Sequence, residues 1–265
     1  MTTRKPSGTS ASAAASDKPE AASAQAWAQM RLREMMLSGE LPGGSRIAEL
    51  AVVDKLGVSR TPIRAALLRL QQEGLLEALA HGGFAVKTFS ERDIADAIEL
   101  RGTLEGLLAR LAAERGAPAV VLGEARACLE AIDQVLAPPA LSAQAFASYV
   151  ALNEQFHQAL AELADSPLLR QQIERVVKMP FASPSAFVVA NAEAPGARDA
   201  LMVAQDQHRQ VLDAIERREG ARAEAIMREH SRLAQRNLAQ VLAAQSRRPG
   251  AAQALPAIRL IRRRA

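Results

Sequence analysis

Residues 47–70 read IAELAVVDKLGVSRTPIRAALLRL, and this stretch decides the fold of the N-terminal part of the chain. The residues up to Leu56 predict a short helix that ends at Gly57, because glycine readily adopts the left-handed backbone of a tight turn. A second helix begins after Ser59, a favoured N-cap residue, and has Pro62 in its first turn. Two short helices joined through a glycine turn predict a helix-turn-helix.

The second of these helices has one apolar and one basic face. Ile63 and Leu67 are four residues apart and are expected to face inward, whereas Arg60 and Arg64 share a different face. In a DNA-binding helix, arginine binds guanine bidentately in the major groove, and hydroxyl groups reach phosphates or base edges. On spacing alone, solvated arginines on a small helical domain are an equal alternative. The candidate DNA-contacting residues of this helix are Ser59, Arg60, Thr61 and Arg64.

The rest of the N-terminal part predicts a compact domain over residues 25–88. A first helix is expected from Trp27 to about Leu37. Residues 75–80 and 84–87 read as two short strands around His81, Gly82 and Gly83, which form the turn of a hairpin. This hairpin would be the wing of a winged helix, with His81 at its tip near a minor groove or a phosphate.

Residues 90–245 predict a second, all-helical domain with an unusual distribution of histidines. Long patterns of apolar residues three or four apart are broken at glycine and proline clusters. His157, His208 and His230 each replace an apolar residue on the inward stripe of a different helix, and Asn153 lies one turn before His157. Such side chains on facing helices are typical of metal sites, with imidazole favouring zinc, nickel, copper or iron. A set of hydrogen-bonded core histidines is the alternative.

The N-terminal motif resembles the winged helix of the GntR superfamily of bacterial transcription regulators. The resemblance rests on residues 56–76, LGVSRTPIRAALLRLQQEGLL, which include the helix-turn-helix and its exit. One departure is Ala65, where that superfamily usually has glutamate after the second arginine. The resemblance implies that Ser59, Arg60, Thr61, Arg64 and the wing residues His81, Gly82 and Gly83 contact double-stranded DNA.

The C-terminal part is similar to the FCD (FadR C-terminal) effector-binding domain of FadR-type regulators. The similarity rests on the segments starting at Arg101, Asn153, Asp206 and Met227, which occur in the family's order. It implies an antiparallel all-α bundle that dimerises and binds a divalent metal, zinc or nickel, with an organic acid reaching the metal. Carried over to this chain, the ligands are Asn153, His157, His208 and His230, and Asn153 stands where aspartate is commoner. Arg101 would either bind the carboxylate of the effector or bridge to Glu105.

Charge and composition limit the other possibilities. The chain has 33 basic and 29 acidic residues. Residues 246–265 are predicted to be a disordered tail that holds six arginines and no acidic residue. Residues 1–24 are predicted to be a second disordered tail. Cys128, the one cysteine, suits a reducing compartment. No apolar run approaches the roughly 18–20 residues that a membrane helix needs, and no signal peptide is expected, so the sequence predicts a cytoplasmic protein without a membrane partner.

The mainly α fold, with its winged helix-turn-helix and helical bundle, therefore predicts a homodimeric transcriptional regulator. Two winged helices would bind a palindromic operator, and a small carboxylate effector beside the metal would change the affinity for DNA, most simply as a repressor. A metal-free regulator with core histidines is one alternative. The other is a metalloenzyme with three histidine ligands, which lacks a convincing general base beyond Glu105.

Overall fold

The computed structural model describes residues 21–185, 196–247 and 260–261 of the 265-residue chain. The N-terminal domain consists of three helices and a small antiparallel sheet. In chain order its elements are α1 (Ala21–Ser38), β1 (Arg46–Ile47), α2 (Glu49–Leu56), α3 (Arg60–Gln72), β2 (Leu76–Ala78) and β3 (Phe84–Val86). The sheet has the order β1-β3-β2, which places the wing strand β3 in its centre. The predicted winged helix-turn-helix is thereby confirmed.

The boundaries of two elements differ from the sequence-based expectation. The helix predicted to begin at Ile47 begins at Glu49, because Arg46 and Ile47 pair with Ala85 and Phe84 as a third strand. A strand of two residues is too short to produce an alternating pattern that can be recognised in a sequence. The first helix begins at Ala21, six residues before the predicted Trp27 and inside the predicted N-terminal tail, whose residues 1–20 lie outside the described residues.

The recognition helix α3 is fixed to the rest of its domain by an apolar face and by one buried carboxylate. Its buried residues are Ile63, Ala66, Leu67 and Leu70. Glu73, which follows the helix and is 8% exposed, accepts a hydrogen bond of 2.8 Å from Gln29 Nε2 and pairs with Arg33 of α1. These contacts join α1 to the end of α3, so the exposed face of α3 has a defined orientation in the domain.

The C-terminal domain is all-helical over its described residues. A capping box begins its first helix: Ser90 N donates to Asp93 Oδ2 (2.7 Å), and Asp93 N donates to Ser90 Oγ (3.1 Å). The helices are α4 (Glu91–Arg115), α5 (Ala119–Leu136), α6 (Ala143–Leu163), α7 (Pro167–Val176), α8 (Ala197–Glu216) and α9 (Gly220–Arg247). Helix α4 packs against α9, α5 against α6, and α8 against α9, so that their inward stripes form one core.

The two domains share an apolar junction. Phe89, between the wing and α4, makes an edge-to-face contact with Phe181 at 5.6 Å between ring centroids. Leu260 is completely buried in the same cluster, and its carbonyl accepts a hydrogen bond of 2.8 Å from Phe89 N. The predicted C-terminal tail thus contributes two described residues, Leu260 and Ile261, to the junction, and α9 extends to Arg247. The other tail residues, 248–259 and 262–265, lie outside the described residues.

Two further sequence-based expectations concern the loose segment 180–198 and the absence of membrane-spanning helices. Of the loose segment 180–198, residues 186–195 lie outside the described residues, whereas Phe181 and Ala182 are buried against α4 and the junction. Within the described ranges, none of the helices combines the length and the hydropathy that a membrane span requires.

Candidate functional site

The structure places the candidate DNA-contacting side chains of α3 together on its outer surface. Ser59, Arg60, Thr61 and Arg64 are all exposed. Ser59 occupies the N-cap position with an extended backbone, and its side chain makes no capping hydrogen bond. The N-terminal turn of α3 therefore presents two guanidinium groups and two hydroxyl groups, which is the donor set that reads base edges and phosphates in a major groove.

The wing adds a second exposed basic feature. Gly82 and Gly83 form its turn with φ angles of +84° and +87°, which side chains other than glycine rarely adopt, and His81 is exposed beside them. Arg46 of β1 reaches this turn, where its Nη2 donates to Gly82 O at 3.3 Å. Sequence reasoning missed Arg46 because the strand that carries it was not predicted. Its charge lies beside the wing tip, on the part of a winged helix that meets the DNA backbone.

In the bundle, three buried histidines from three helices converge. His157 lies on α6, His208 on α8 and His230 on α9, and one ring nitrogen from each lies within 4.8 Å of the others. His208 Nε2 and His230 Nε2 are 3.1 Å apart. His157 Nε2 is buried and has no hydrogen-bond partner among the described residues. A buried ring nitrogen without a partner is costly, and a ligand bound in this cluster would provide that partner.

The second ring nitrogen of each histidine faces an oxygen atom. His157 Nδ1 lies 2.7 Å from Glu105 Oε1, His208 Nδ1 lies 3.3 Å from Gln205 Oε1, and His230 Nδ1 lies 3.2 Å from Gln207 Oε1. When Nδ1 donates to such an oxygen, the lone pair is on Nε2, the atom that binds a metal. The three side chains therefore fit a divalent metal that prefers imidazole ligands.

Burial and neighbouring charges keep the imidazoles of His208 and His230 neutral and the carboxylate of Glu105 charged. Burial lowers the pKa of His208 and of His230 well below the usual value of histidine, and the positive charge of neighbouring groups adds to this effect. Burial alone would raise the pKa of Glu105, but the adjacent His157 and Arg101 outweigh it and leave that pKa below its usual value. Neutral imidazoles are the form that binds metal.

Arg101 is almost completely buried and faces both its own helix and a cavity. Its Nε lies 3.3 Å from Glu105 Oε2, and its Nη1 donates to the carbonyl oxygens of Ala182 (3.3 Å) and Ser183 (2.9 Å). The bridge to Glu105, one of the two roles considered from the sequence, is thus present. Arg101 also lines a cavity of about 200 Å³, and so do Tyr149, Asn153 and His230. This volume suits a small organic molecule rather than a large cofactor.

Asn153 lines the same cavity as Arg101 and His230. It is 3% exposed, one helical turn before His157. Its Nδ2 donates to Ser185 Oγ at 3.1 Å, which leaves the carbonyl oxygen of the amide for another partner. A larger cavity of about 470 Å³ reaches Glu105 and His157 between α6 and α7, and its lining includes Arg170 and Lys178. Two cavities therefore border the cluster, one at His230 and one at His157.

Two protein families match this chain. The FCD domain family matches residues 96–233, and the family described as bacterial regulatory proteins, gntR family, matches residues 26–86. The matched ranges coincide with the helical bundle that contains the histidine cluster and with the winged helix-turn-helix. The resemblance noted from the sequence is confirmed in both parts.

Individual relatives agree with these families. The chain is 30% identical, over 77% of its length and 80% of the relative, to an uncharacterised HTH-type transcriptional regulator of Streptomyces ambofaciens. It is 41% identical to a probable D-xylose utilization operon transcriptional repressor of Paenarthrobacter nicotinovorans, over 28% of this chain and only 33% of that protein. The solved structure of E. coli McbR/YncC has the same fold, with a TM-score of 0.57, 21% identity and coverage of 83% of this chain and 98% of the other.

Proposed function

Since the chain belongs to the GntR family of bacterial regulatory proteins and carries an FCD domain, we propose that a small organic acid controls its affinity for operator DNA. The acid binds beside a divalent metal ion in the helical bundle. The family consists of DNA-binding transcriptional regulators, so this chain is a regulator and not a metalloenzyme. It acts in the cytoplasm, as a repressor that the effector releases from DNA.

The DNA-reading surface consists of the exposed start of α3 and the tip of the wing. Two chains form a homodimer, and each winged helix binds one half of a palindromic operator, with the spacing of the halves set by the two-fold axis. The exposed side chains described above support this role, and Arg46 extends the surface toward the phosphates beside the wing. The residues that contact DNA are Ser59, Arg60, Thr61, Arg64, His81, Gly82 and Gly83.

The metal site is formed by Asn153, His157, His208 and His230. The observation that carries this proposal is the unpartnered, buried His157 Nε2, which lies in a cluster whose outer ring nitrogens face oxygen atoms. Zinc and nickel suit this set of ligands best. When bound, the metal supplies a positive charge and an open position that attract the carboxylate of the effector.

Arg101 provides the contact between the effector and the rest of the molecule. In the cavity its guanidinium group can bind a carboxylate, and it is hydrogen-bonded to the carbonyls of Ala182 and Ser183. The neighbouring Phe181 contacts Phe89, which connects the wing to α4. An effector that moves Arg101 can therefore act on the junction between the two domains through a short series of direct contacts. Such differential contacts are what a ligand needs to change affinity at a distant site.

The metal content of the untagged protein, measured by elemental mass spectrometry, tests this proposal. We expect about one equivalent of zinc or nickel per chain. His157→Ala removes a ligand and should abolish the bound metal, whereas His81→Ala changes only the exposed histidine of the wing and should retain it. A wild-type protein that takes up no metal even after reconstitution, or a His157→Ala variant with full occupancy, would leave the metal-free regulator with core histidines as the correct interpretation.

A further inference from the structure

We propose that Gln205 is a positioning residue that fixes His208 in the tautomer able to bind a metal. Gln205 is completely buried between α8 and α5. Its Nε2 donates two hydrogen bonds, to Leu129 O at 2.9 Å and to Asp133 Oδ1 at 2.7 Å. Its Oε1 lies 3.3 Å from His208 Nδ1, one helical turn along α8. None of the sequence patterns identified this residue.

The orientation of the Gln205 amide is determined by its partners on α5. Both of these partners, a main-chain carbonyl and a carboxylate, accept hydrogen bonds and cannot donate them. If the amide were reversed, its oxygen would face two other oxygens in a buried place, and its NH₂ group would face the ring of His208. Asp133 is itself held in place, because Arg209 Nε donates to its Oδ2 at 3.2 Å. The amide oxygen of Gln205 must therefore face His208.

The orientation of the amide determines which nitrogen of His208 carries the proton. An oxygen acceptor beside Nδ1 requires the proton on Nδ1, so the lone pair of the neutral ring lies on Nε2. This Nε2 lies 3.1 Å from His230 Nε2, inside the cluster. Without Gln205, the ring could carry its proton on Nε2 and donate it to His230, and this tautomer has no lone pair on Nε2 for a metal in the cluster. Gln205 thus selects the metal-binding form of His208 before any metal arrives.

The proposal covers two properties, the tautomer of His208 and the affinity of the cluster for metal. The tautomer of His208 follows from the hydrogen bonds of Gln205 alone and can be measured in the metal-free protein. The effect on metal affinity rests on the proposed function of the cluster. Because partners of this kind contribute about 10–100-fold to metal affinity, we expect a loss of that size when Gln205 can no longer accept a hydrogen bond.

The test combines the NMR spectrum of the histidines with zinc binding. The full chain has four histidines, and their ring nitrogens are observed by ¹H–¹⁵N correlation after chelation of metal, with His→Gln variants for assignment. Gln205→Met has a similar size but accepts no such hydrogen bond. Its matched control is Gln210→Met on the same helix, where the native Nε2 donates to Asp206 Oδ2 at 2.6 Å, away from the cluster. Zinc affinity is measured by competition with a chromogenic chelator.

The wild type and Gln210→Met should show His208 protonated on Nδ1 and should bind zinc equally well. In Gln205→Met, the Nε2–H form should appear and zinc affinity should fall 10–100-fold. Circular dichroism and urea unfolding establish whether Gln205→Met keeps the fold of the Gln210→Met control. This comparison distinguishes the loss of the hydrogen bond from misfolding of Gln205→Met.

Two results would overturn the inference. One is a Gln205→Met protein that keeps His208 on Nδ1 or binds zinc like the control. The other is a Gln210→Met protein that shows the same change of tautomer and the same loss of zinc affinity. A wild-type protein with the expected tautomer and no affinity for zinc or nickel would support the assignment of His208 and contradict only the proposed metal site.

Discussion

Substitution of Gly102 by alanine tests how closely α4 and α9 must pack to form the histidine cluster. A Cβ atom at Gly102 would lie 2.0 Å from Ser231 Oγ and 2.5 Å from Ser231 Cβ. Because carbon atoms in contact are normally about 3.5–4.0 Å apart, the two helices would have to separate locally by roughly 1–1.5 Å. Ser231 directly follows His230, so this displacement would move a member of the cluster.

The expected magnitude combines two opposing contributions. Overpacking of this kind costs about 1–3 kcal/mol, while replacing a helical glycine by alanine returns up to about 1 kcal/mol. With a return of about 1 kcal/mol, Gly102→Ala should therefore lower the free energy of unfolding by up to about 2 kcal/mol. Gly123→Ala on α5 is the matched control, because a Cβ atom there meets nothing within 4 Å, and it should raise stability by about 0.5–1 kcal/mol.

Urea unfolding and zinc competition measure the two consequences. Metal–ligand distances tolerate changes of only about 0.2 Å, so a shift of His230 should weaken zinc binding at least tenfold in Gly102→Ala and leave it unchanged in Gly123→Ala. Adding Ser231→Gly to Gly102→Ala removes the atoms that clash and should restore much of the affinity. If Gly102→Ala proved as stable as Gly123→Ala and bound zinc normally, the close approach of the two helices would not determine the geometry of the cluster.

Three further predictions concern the DNA interface, the pH dependence and the domain junction. Arg60→Ala and Arg64→Ala should each weaken binding to an operator selected in vitro by about 1–3 kcal/mol, and unchanged footprints in both would exclude α3 as the recognition helix. Since the pKa values of His208 and His230 lie well below the usual 6.5, both rings stay neutral in the folded protein and gain protons on unfolding once the pH falls below that value. The metal-free protein should therefore lose about 3 kcal/mol of stability between pH 7.5 and 5.5, measured by urea unfolding, and a flat profile would contradict the neutral state of the two imidazoles. Leu260→Asp puts a carboxylate into a completely buried position, so it should lower the free energy of unfolding by at least about 2 kcal/mol. It should also make the C-terminal segment sensitive to trypsin. Resistance to trypsin equal to that of the wild type would show that this segment does not stabilise the junction.

The part of the site that could be predicted from the sequence is the part that depends on local periodicity. A helix repeats every 3.6 residues, so a polar side chain in an apolar stripe is visible wherever it occurs. His157, His208 and His230 are visible in this way, and so is Arg101. All four are buried in the structure. The glycine turn after α2 and the wing turn are equally local, because both depend on residues with positive φ.

The contacts between helices could not be predicted, because they depend on how each helix is placed along its neighbours. Gln205 resembles any polar residue of an amphipathic helix until α5 places Leu129 O and Asp133 beside it. Its only local signal is its position one turn before His208. Leu260 was missed for a related reason: it lies in a stretch that was interpreted as a disordered tail, and its place is defined by tertiary contacts such as the hydrogen bond from Phe89 N.

The charges around the cluster explain why its ligand should be an anion. Arg101 and Glu105 form an ion pair, and His208 and His230 are neutral, so the charges of these four buried side chains nearly cancel one another. As a metal ligand, Asn153 would contribute a neutral amide oxygen, where the resemblance to FCD domains implies that aspartate is commoner. A divalent metal in this set of ligands would keep most of its charge in a buried place, where an uncompensated charge is costly. A carboxylate that enters the cavity beside Arg101 would supply the missing negative charge, so metal binding and effector binding should strengthen each other.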